Sequence, residues 1–302
     1  MRVATHNVNG IRAALRRGVA EWRASTDADA LALQEVRCPI PSLPPEAFEG
    51  YWAAYDSGAR AGRNGVAVLT RERPAAVRTW GTDVVLVDPS GGRLHLPDDP
   101  VPLARELRRF DTEGRYIEVD LADRPVTVAS LYLPKGGVPE DGPEGVARFE
   151  RKLRFMTGFA RQLSRSRRAA LAAGREFLVM GDFNIAHTEL DVRHWRRARR
   201  SEGFLPEERA WIDAQISPRT LVDVVRRLHP DVPGPYSWWS WFESSFVNDS
   251  GWRIDYHLAT PRLARTATRA WVARESTCEQ RMSDHAPVVV DYVVDGLHQS
   301  QF

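Results

Sequence analysis

Residues 177–185, FLVMGDFNI, carry the most informative pattern in the chain. Phe177, Leu178, Val179 and Met180 form a short apolar run of strand character that Gly181 ends. Asp182 and Asn184 follow at alternate positions. Alternate side chains on an extended segment point the same way, so an acid and an amide can share one face at a strand end. The arrangement recurs on either side. Run 3–8 carries Asn7 and leads to Asn9, and run 30–36 holds Gln34 and Glu35. Tyr132 lies between Leu131 and Leu133, Asp255 follows Ile254, and Asp284 and His285 precede run 288–290. If these six strand ends converge, they form an acidic, oxygen-rich cleft. Such a cleft suits Mg²⁺, which takes oxygen ligands, keeps several waters and often needs only one or two carboxylates. Polar residues also cap ordinary turns, so the weight rests on the set and not on any one member. A structural zinc site is excluded: Cys38 and Cys278 have no metal spacing, and the histidines are scattered.

Further β-rich runs lie at 66–69, 84–87, 116–119, 126–133 and 254–259. Helical patterns are read at 11–22, at 146–163 and at 207–216, the last opened by Pro206. In 146–163, Phe149, Leu153, Met156, Ala160 and Leu163 share one face and Arg or Lys the other. Strands outnumber helices, and helices are interspersed, which two packed sheets flanked by helices satisfy best. No linker rich in Gly, Ser or Pro divides the chain, so 1–302 is read as a single domain. The proline-rich stretches 39–45 and 97–102 are read as surface loops, and 91–110 as a variable loop without a motif.

The 302 residues are 43% hydrophobic and 27% charged, as in a globular chain able to bury a large core. No apolar run approaches the ~20 residues that span a bilayer, and MRVATHNVNG lacks a signal-peptide core. With two cysteines, a reduced, cytoplasmic setting is expected, nucleoid-associated in a bacterium. Net charge is only +2, but residues 148–200 hold 14 Lys and Arg against 5 Asp and Glu. Clustered positive charge suits a polyanion; it also describes a solvated helix face. All but Lys135 and Lys152 of the 42 basic residues are arginine, and asparagine occurs only at 7, 9, 64, 184 and 248. GC-rich coding pressure explains both biases, which weakens the arginine excess as evidence for phosphate binding and adds weight to the surviving asparagines.

The motifs resemble the exonuclease III family of AP endonucleases, within the endonuclease/exonuclease/phosphatase superfamily. The resemblance rests on THNVNGIRAA (5–14), LALQEVR (31–37), GRNGVAVL (62–69), DTEGRYIEV (111–119), LYLPKG (131–136), GDFNIAHTELD (181–191), GFLPEERAWID (203–213), GWRIDYHLAT (251–260) and SDHAPVVV (283–290), in family order. It implies a DNase I-like four-layer α/β sandwich, two packed mixed β-sheets flanked by helices, with the strand ends meeting at one edge. It implies a Mg²⁺-dependent (Mn²⁺ possible) monomeric phosphodiesterase that incises duplex DNA 5′ to abasic sites, with 3′-to-5′ exonuclease and 3′-end-processing activity.

Residue by residue, the resemblance makes Glu35 a metal ligand, joined by Asp284 and Asn9 and by the Asp182–Asn184 pair. Asp182 becomes the candidate general base, placed by Asn184, and Tyr132 the active-site tyrosine, a phosphate donor or a phenolate. Asp255 orients His285, which donates to the phosphate. Asn7 and Asn64 fall in motifs beside the metal and the substrate and, with His285, count among the DNA contacts. Positions matching Trp238, Trp252 and Ile254 wall the family's pocket for a flipped abasic sugar. Arg193, Arg196, Arg197 and Arg200 lie where the family places DNA-backbone contacts, although RHWRRARRSEG (193–203) lacks that loop's usual Lys and Asn. This leaves the balance between endonuclease and exonuclease work open. The other readings are a non-catalytic DNA-binding member, or one specific for RNA or another phosphodiester. The first would require loss of a ligand or carboxylate, and none is lost.

Overall fold

Central strands buried at every position set the architecture. Side chains of an extended segment face opposite ways in turn, so a strand buried on both faces serves two cores at once. Ala30 and Ala32 pack into a core with Val66, Val68, Leu178 and Met180, while Leu31 and Leu33 pack with Ala67 and Leu69 on the opposite side. Phe177 and Val179 face a third core.

The computed structural model describes residues 1–81, 83–97 and 101–294. Its strands are β1 (Arg2–Asn7), β2 (Ala30–Gln34), β3 (Trp52–Asp56), β4 (Val66–Thr70), β5 (Ala76–Thr79), β6 (Val84–Val87), β7 (Arg93–His95), β8 (Tyr116–Asp120), β9 (Val126–Tyr132), β10 (Glu176–Asp182), β11 (Val222–Asp223), β12 (Asp255–Ala259), β13 (Ala267–Val272) and β14 (Val288–Tyr292). Among the described residues they pair into two sheets, ordered β13-β14-β1-β2-β4-β3-β6-β7 and β11-β12-β10-β9-β8-β5. Both are mixed: β1–β2 and β9–β10 run parallel, and their other pairings are antiparallel. The sheets pack face to face through the first core. Helices α1 (Ile11–Leu15) and α2 (Val19–Thr26) contribute Ile11, Ala14 and Val19 to the second core, outside the first sheet. Helices α3 (Pro143–Ala172) and α5 (Pro206–Gln215) contribute Phe155, Phe159 and Ile212 to the third core, outside the second sheet. The short helices α4 (Trp195–Ala198), α6 (Val224–Leu228), α7 (Glu243–Val247) and α8 (Pro261–Arg265) complete the chain. This is the four-layer sandwich. No helix among the described residues is long and apolar enough to cross a membrane.

Parallel pairing at the middle of each sheet brings strand ends to one edge. Asn7 of β1 is in register with Gln34 of β2, and Asp182 of β10 with both Tyr132 of β9 and Asp255 of β12. Gly181 makes the last register possible: a Cβ there would lie 2.0 Å from the Leu131 carbonyl oxygen.

Three sequence expectations need correction. The helical pattern at 11–22 is two helices, parted at Gly18, whose φ of 95° suits glycine. Residues 39–45 are not a plain surface loop, because 3₁₀ turns there bury Ile40 and Leu43 under the first sheet. The 91–110 stretch holds the edge strand β7 and sends Leu107 and Phe110 into the third core. Of the expected loop 97–102, residues 98–100 lie outside the described residues. Strands β3, β5, β7, β11 and β13 are additional to the sequence reading. Most carry polar or alanine-rich sequences, whose strand character comes from their neighbours and not from propensity.

One buried ion cluster ties this frame together behind the site. Asp191 is fully buried, and its Oδ1 accepts from Arg253 Nε at 2.7 Å and Arg226 Nη2 at 2.5 Å. Burial opposes ionisation, but the two guanidiniums hold its carboxyl well below the usual range. A depressed folded pKa stabilises the fold above the unfolded value of ~3.9 and loses that contribution as pH falls through the folded value. Asp191→Asn therefore lowers unfolding free energy at pH 7 by ~3–5 kcal/mol, since the arginines are left uncompensated. In urea melts its deficit against the parent narrows below about pH 4; a deficit that stays constant down to pH 2 would contradict the assignment.

Candidate active site

The strand ends meet in one open cavity of about 610 Å³. Its floor holds Glu35, Tyr132, Asp182, Asn184, Asp284 and His285, and its wall holds Trp238, Trp252 and Ile254. The ends of β1, β2, β9 and β10 and the flanks of β12 and β14 therefore converge, as the resemblance implies and the polar strand ends alone left open.

Asn7 is the central link. Its Nδ2 donates to Glu35 Oε1 at 2.8 Å and to Asp182 Oδ2 at 2.9 Å, so one amide bridges the first sheet to the second. Its Oδ1 accepts from Asn9 N at 3.0 Å, and Asn9 Nδ2 donates to Asp284 Oδ1 at 2.7 Å. Asp284 Oδ2 accepts from Trp238 Nε1 at 3.2 Å. Asn7 is 0% exposed, which corrects its place among the DNA contacts: it holds carboxylates and cannot touch a duplex. Asn64 is half-buried, and its side chain donates to Glu113 O at 2.9 Å and accepts from Arg115 at 3.4 Å.

Asp182 is 1% exposed. Its Oδ1 accepts from Asn184 N at 2.8 Å, and its Oδ2 from Asn184 Nδ2 at 3.2 Å. His285 Nε2 lies 3.7 Å from the same Oδ2, and His285 Nδ1 lies 2.9 Å from Asp255 Oδ2. Ser237 Oγ donates to that Asp255 oxygen at 2.6 Å. Burial raises the Asp182 pKa, and Asp255 and Glu35 add to the rise against the pull of His285. Burial alone would depress His285, yet Asp255 and Asp182 raise it well above its ordinary value, so the ring is an imidazolium at neutral pH. Asp284 behaves differently. Burial is outweighed by His285 and by the Trp238 and Asn9 hydrogen bonds, which keep it below the usual range. Burial, with Glu35 and Asp182 nearby, pushes the Tyr132 phenol well above its normal value, so it stands as a donor.

The backbone here is unusual. Asn9, Glu35, Arg37, Asn64 and Asn184 all have φ between 44° and 53°. Among non-glycine residues asparagine tolerates this left-handed region best, which accounts for three of the chain's five asparagines. Glutamate does not favour it, so Glu35 is held there by its surroundings: its carbonyl accepts from Gly10 N at 2.8 Å.

The aromatic wall is preformed. Trp238 and Trp252 meet edge to face at 6.3 Å, and Phe204 backs Trp252 at 6.3 Å. Trp239 is 1% exposed and belongs to a separate core. Arg193, Arg196, Arg197 and Arg200 are all exposed; Arg200 lines the cavity itself, and Arg197 lines a neighbouring depression with Trp252. Arg196 and Arg199 stack on Trp195 at 4.6 and 4.5 Å.

Sequence reading missed Arg37, which pairs with Glu35; Arg115, whose guanidinium lies 5.0 Å over the Tyr132 ring; and Ser237. Arg37 and Arg115 were present in quoted motifs, but an arginine-biased chain hides individual arginines. Ser237 carried no signal.

An enzyme with this sandwich and this acid–imidazole–amide floor belongs among the phosphoesterases built on two stacked sheets. Residues 4–285 match the Endonuclease/Exonuclease/phosphatase family, and the chain belongs to it as a phosphate-ester hydrolase. It is similar to an exodeoxyribonuclease of Streptococcus pneumoniae, 28% identical over 291 residues, covering 93% of this chain and 92% of that protein. It is also similar to a DNA-(apurinic or apyrimidinic site) endonuclease of Dictyostelium discoideum, 26% identical over 297 residues, covering 98% of this chain and 71% of that one. Among solved structures, a 3′-5′ exonuclease from Neisseria meningitidis superposes with a TM-score of 0.72 at 26% identity, covering 97% and 99%.

Proposed function

We propose that the chain is a DNA-repair phosphodiesterase that incises duplex DNA on the 5′ side of abasic sites and also processes 3′ ends. The observation that carries this reading is the Asn7-bridged Glu35–Asp182–His285–Asp255 cluster, set at the foot of an aromatic-walled cavity. The names of the similar proteins, an exodeoxyribonuclease and an apurinic-site endonuclease, support DNA as substrate.

The chemistry follows from where protons and charges sit. His285, an imidazolium braced by Asp255, donates to a non-bridging phosphate oxygen and holds negative charge that grows during attack. Tyr132 donates beside it. Asp182, with a raised pKa, is poised to take a proton from water near neutral pH. Asn184 fixes the carboxylate through its own N–H and amide, so the accepting oxygen has one orientation. Asp182 Oδ1 accepts a single hydrogen bond, from Asn184 N, which leaves it a lone pair for the proton of the attacking water.

Glu35, Asp284 and Asn9 would hold a divalent cation. No group of three or more His, Cys, Asp or Glu side chains suited to a metal occurs among the described residues. The donors are hard oxygens lining an open cavity, which fits Mg²⁺ with several waters, or Mn²⁺, and not a closed protein cage. Bound there, the cation would neutralise phosphate charge and act as a Lewis acid.

Trp238, Trp252 and Ile254 offer an apolar wall to a sugar without a base, and an extrahelical abasic nucleotide costs less to expose than a paired one. Metal-dependent cleavage is compared on abasic duplex, single-stranded RNA and a simple aryl phosphodiester. Preference for abasic duplex by 10²-fold or more, roughly the size of a good recognition effect, supports the reading, and equal rates on all three would remove it. The exposed arginines supply backbone contacts. Replacing Arg196, Arg197 and Arg200 together by alanine weakens binding equally for all sequences and reduces the log K against log salt slope by ~2–3. An unchanged slope in fluorescence-anisotropy titrations would make the run a solvated surface.

A further inference from the structure

The chain has two lysines, and one of them, Lys152, is fully buried behind the cavity floor. It projects from α3. Its three ammonium hydrogens have three acceptors: Asn184 O at 2.8 Å, Lys135 O at 3.0 Å and Glu208 Oε1 at 2.5 Å. Glu208, also fully buried on α5, accepts from Leu205 N at 2.9 Å through its other oxygen. The ammonium therefore joins the segment after β9, the segment after β10 and the start of α5. All three segments border the cavity, through Lys135, Asn184 and Gly203.

We propose that Lys152 is a positioning residue for hydrolysis, acting through Asn184. Asn184 holds a left-handed backbone, with φ of 49°. In that conformation its N–H and Nδ2 both reach Asp182, and Nδ2 also donates to Leu133 O at 2.9 Å. The carbonyl gripped by Lys152 belongs to the same residue. Releasing it frees the 184–185 peptide to relax out of a disfavoured conformation, and the Asp182 carboxylate loses its fixed orientation. Lysine is required because a tetrahedral ammonium serves three acceptors in a closed space, whereas a guanidinium is planar and larger. The space is closed by Gly136: a Cβ there would lie 2.7 Å from Lys152 Cδ. This accounts for a lysine at this position in a chain whose other basic residues, Lys135 apart, are arginines.

The inference rests on the hydrolytic reading above, and unmodified protein run in parallel separates the two. If unmodified protein fails to cleave abasic duplex with Mg²⁺, the functional reading is at fault. If it cleaves, three variants decide the role of Lys152. Lys152→Met lowers kcat by ~10²-fold, the cost of small misplacement of a catalytic group, with KM within ~3-fold. Lys152→Met combined with Glu208→Met restores the melting temperature, because an apolar pair replaces a buried ion pair at little cost, but leaves kcat low. Glu208→Gln, which keeps the ammonium on both carbonyls, holds kcat within ~5-fold of the parent. Recovery of kcat together with stability in the double variant would overturn the proposal and make the pair merely structural. So would a Glu208→Gln loss as large as that of Lys152→Met, which decides the matter even if the double variant does not fold.

Discussion

Asp182→Asn lowers kcat for phosphodiester cleavage by ~10²–10⁴-fold while the protein keeps its fold. The substitution keeps the volume of the side chain and its place between Asn7 and Asn184, but removes the lone pair that takes the proton. Buried at 1% exposure, the native carboxylate is costly to ionise, and its pKa is raised as a general base near neutrality requires. Replacing it by a neutral amide relieves that cost, so stability stays within a few kcal/mol of the parent, and a melt by circular dichroism shows one cooperative transition. Steady-state kinetics on duplex at saturating substrate, compared with that melt, test the point. A folded variant retaining a third or more of the parent kcat would move the base role elsewhere, Tyr132 being the next group.

Glu35→Ala has an effect of similar size for a different reason. The change removes the carboxylate that Asn7 orients from one side and Arg37 from the other. Activity falls by ~10²–10⁴-fold, and half-saturation with Mg²⁺ moves up by ~10-fold or more. The two variants are thus told apart: excess Mg²⁺ partly recovers the Glu35 variant and does nothing for the Asp182 variant. Equal and complete insensitivity to Mg²⁺ in both would contradict the placement of the cation at Glu35, Asp284 and Asn9.

The long apolar runs and the polar residues at six strand ends were legible in the sequence because each is local or periodic; that those ends meet at one edge came only from the resemblance carried by the motifs and their order. Strand β10 up to Asp182 needed only the alternation of an extended chain, whereas Asn184 lies beyond the strand end and reaches Asp182 from a left-handed backbone and not by alternation. What stayed hidden depends on partners far away in the chain. Asn7 reads as a substrate contact until 28 residues on, at Glu35, and 175 residues on, at Asp182, its two acceptors close over it. The segment 101–110 reads as loop because Leu107 and Phe110 are isolated apolar residues, and only packing against α3 gives them a core. Lys152 reads as one basic residue on a polar helix face, since the acceptors that surround it come from three other segments. The asparagines show the reverse case. Their scarcity marked them as important, and the left-handed backbone at three of them supplies the physical reason.

The most direct test uses an end-labelled duplex with one central abasic analogue, incubated with Mg²⁺ or with EDTA. A single Mg²⁺-dependent cut on the 5′ side of the lesion is the outcome that this account of the cavity requires. No metal-dependent cleavage, either at the lesion or from the 3′ end, would contradict it and return the chain to a DNA-binding role or to another phosphate ester.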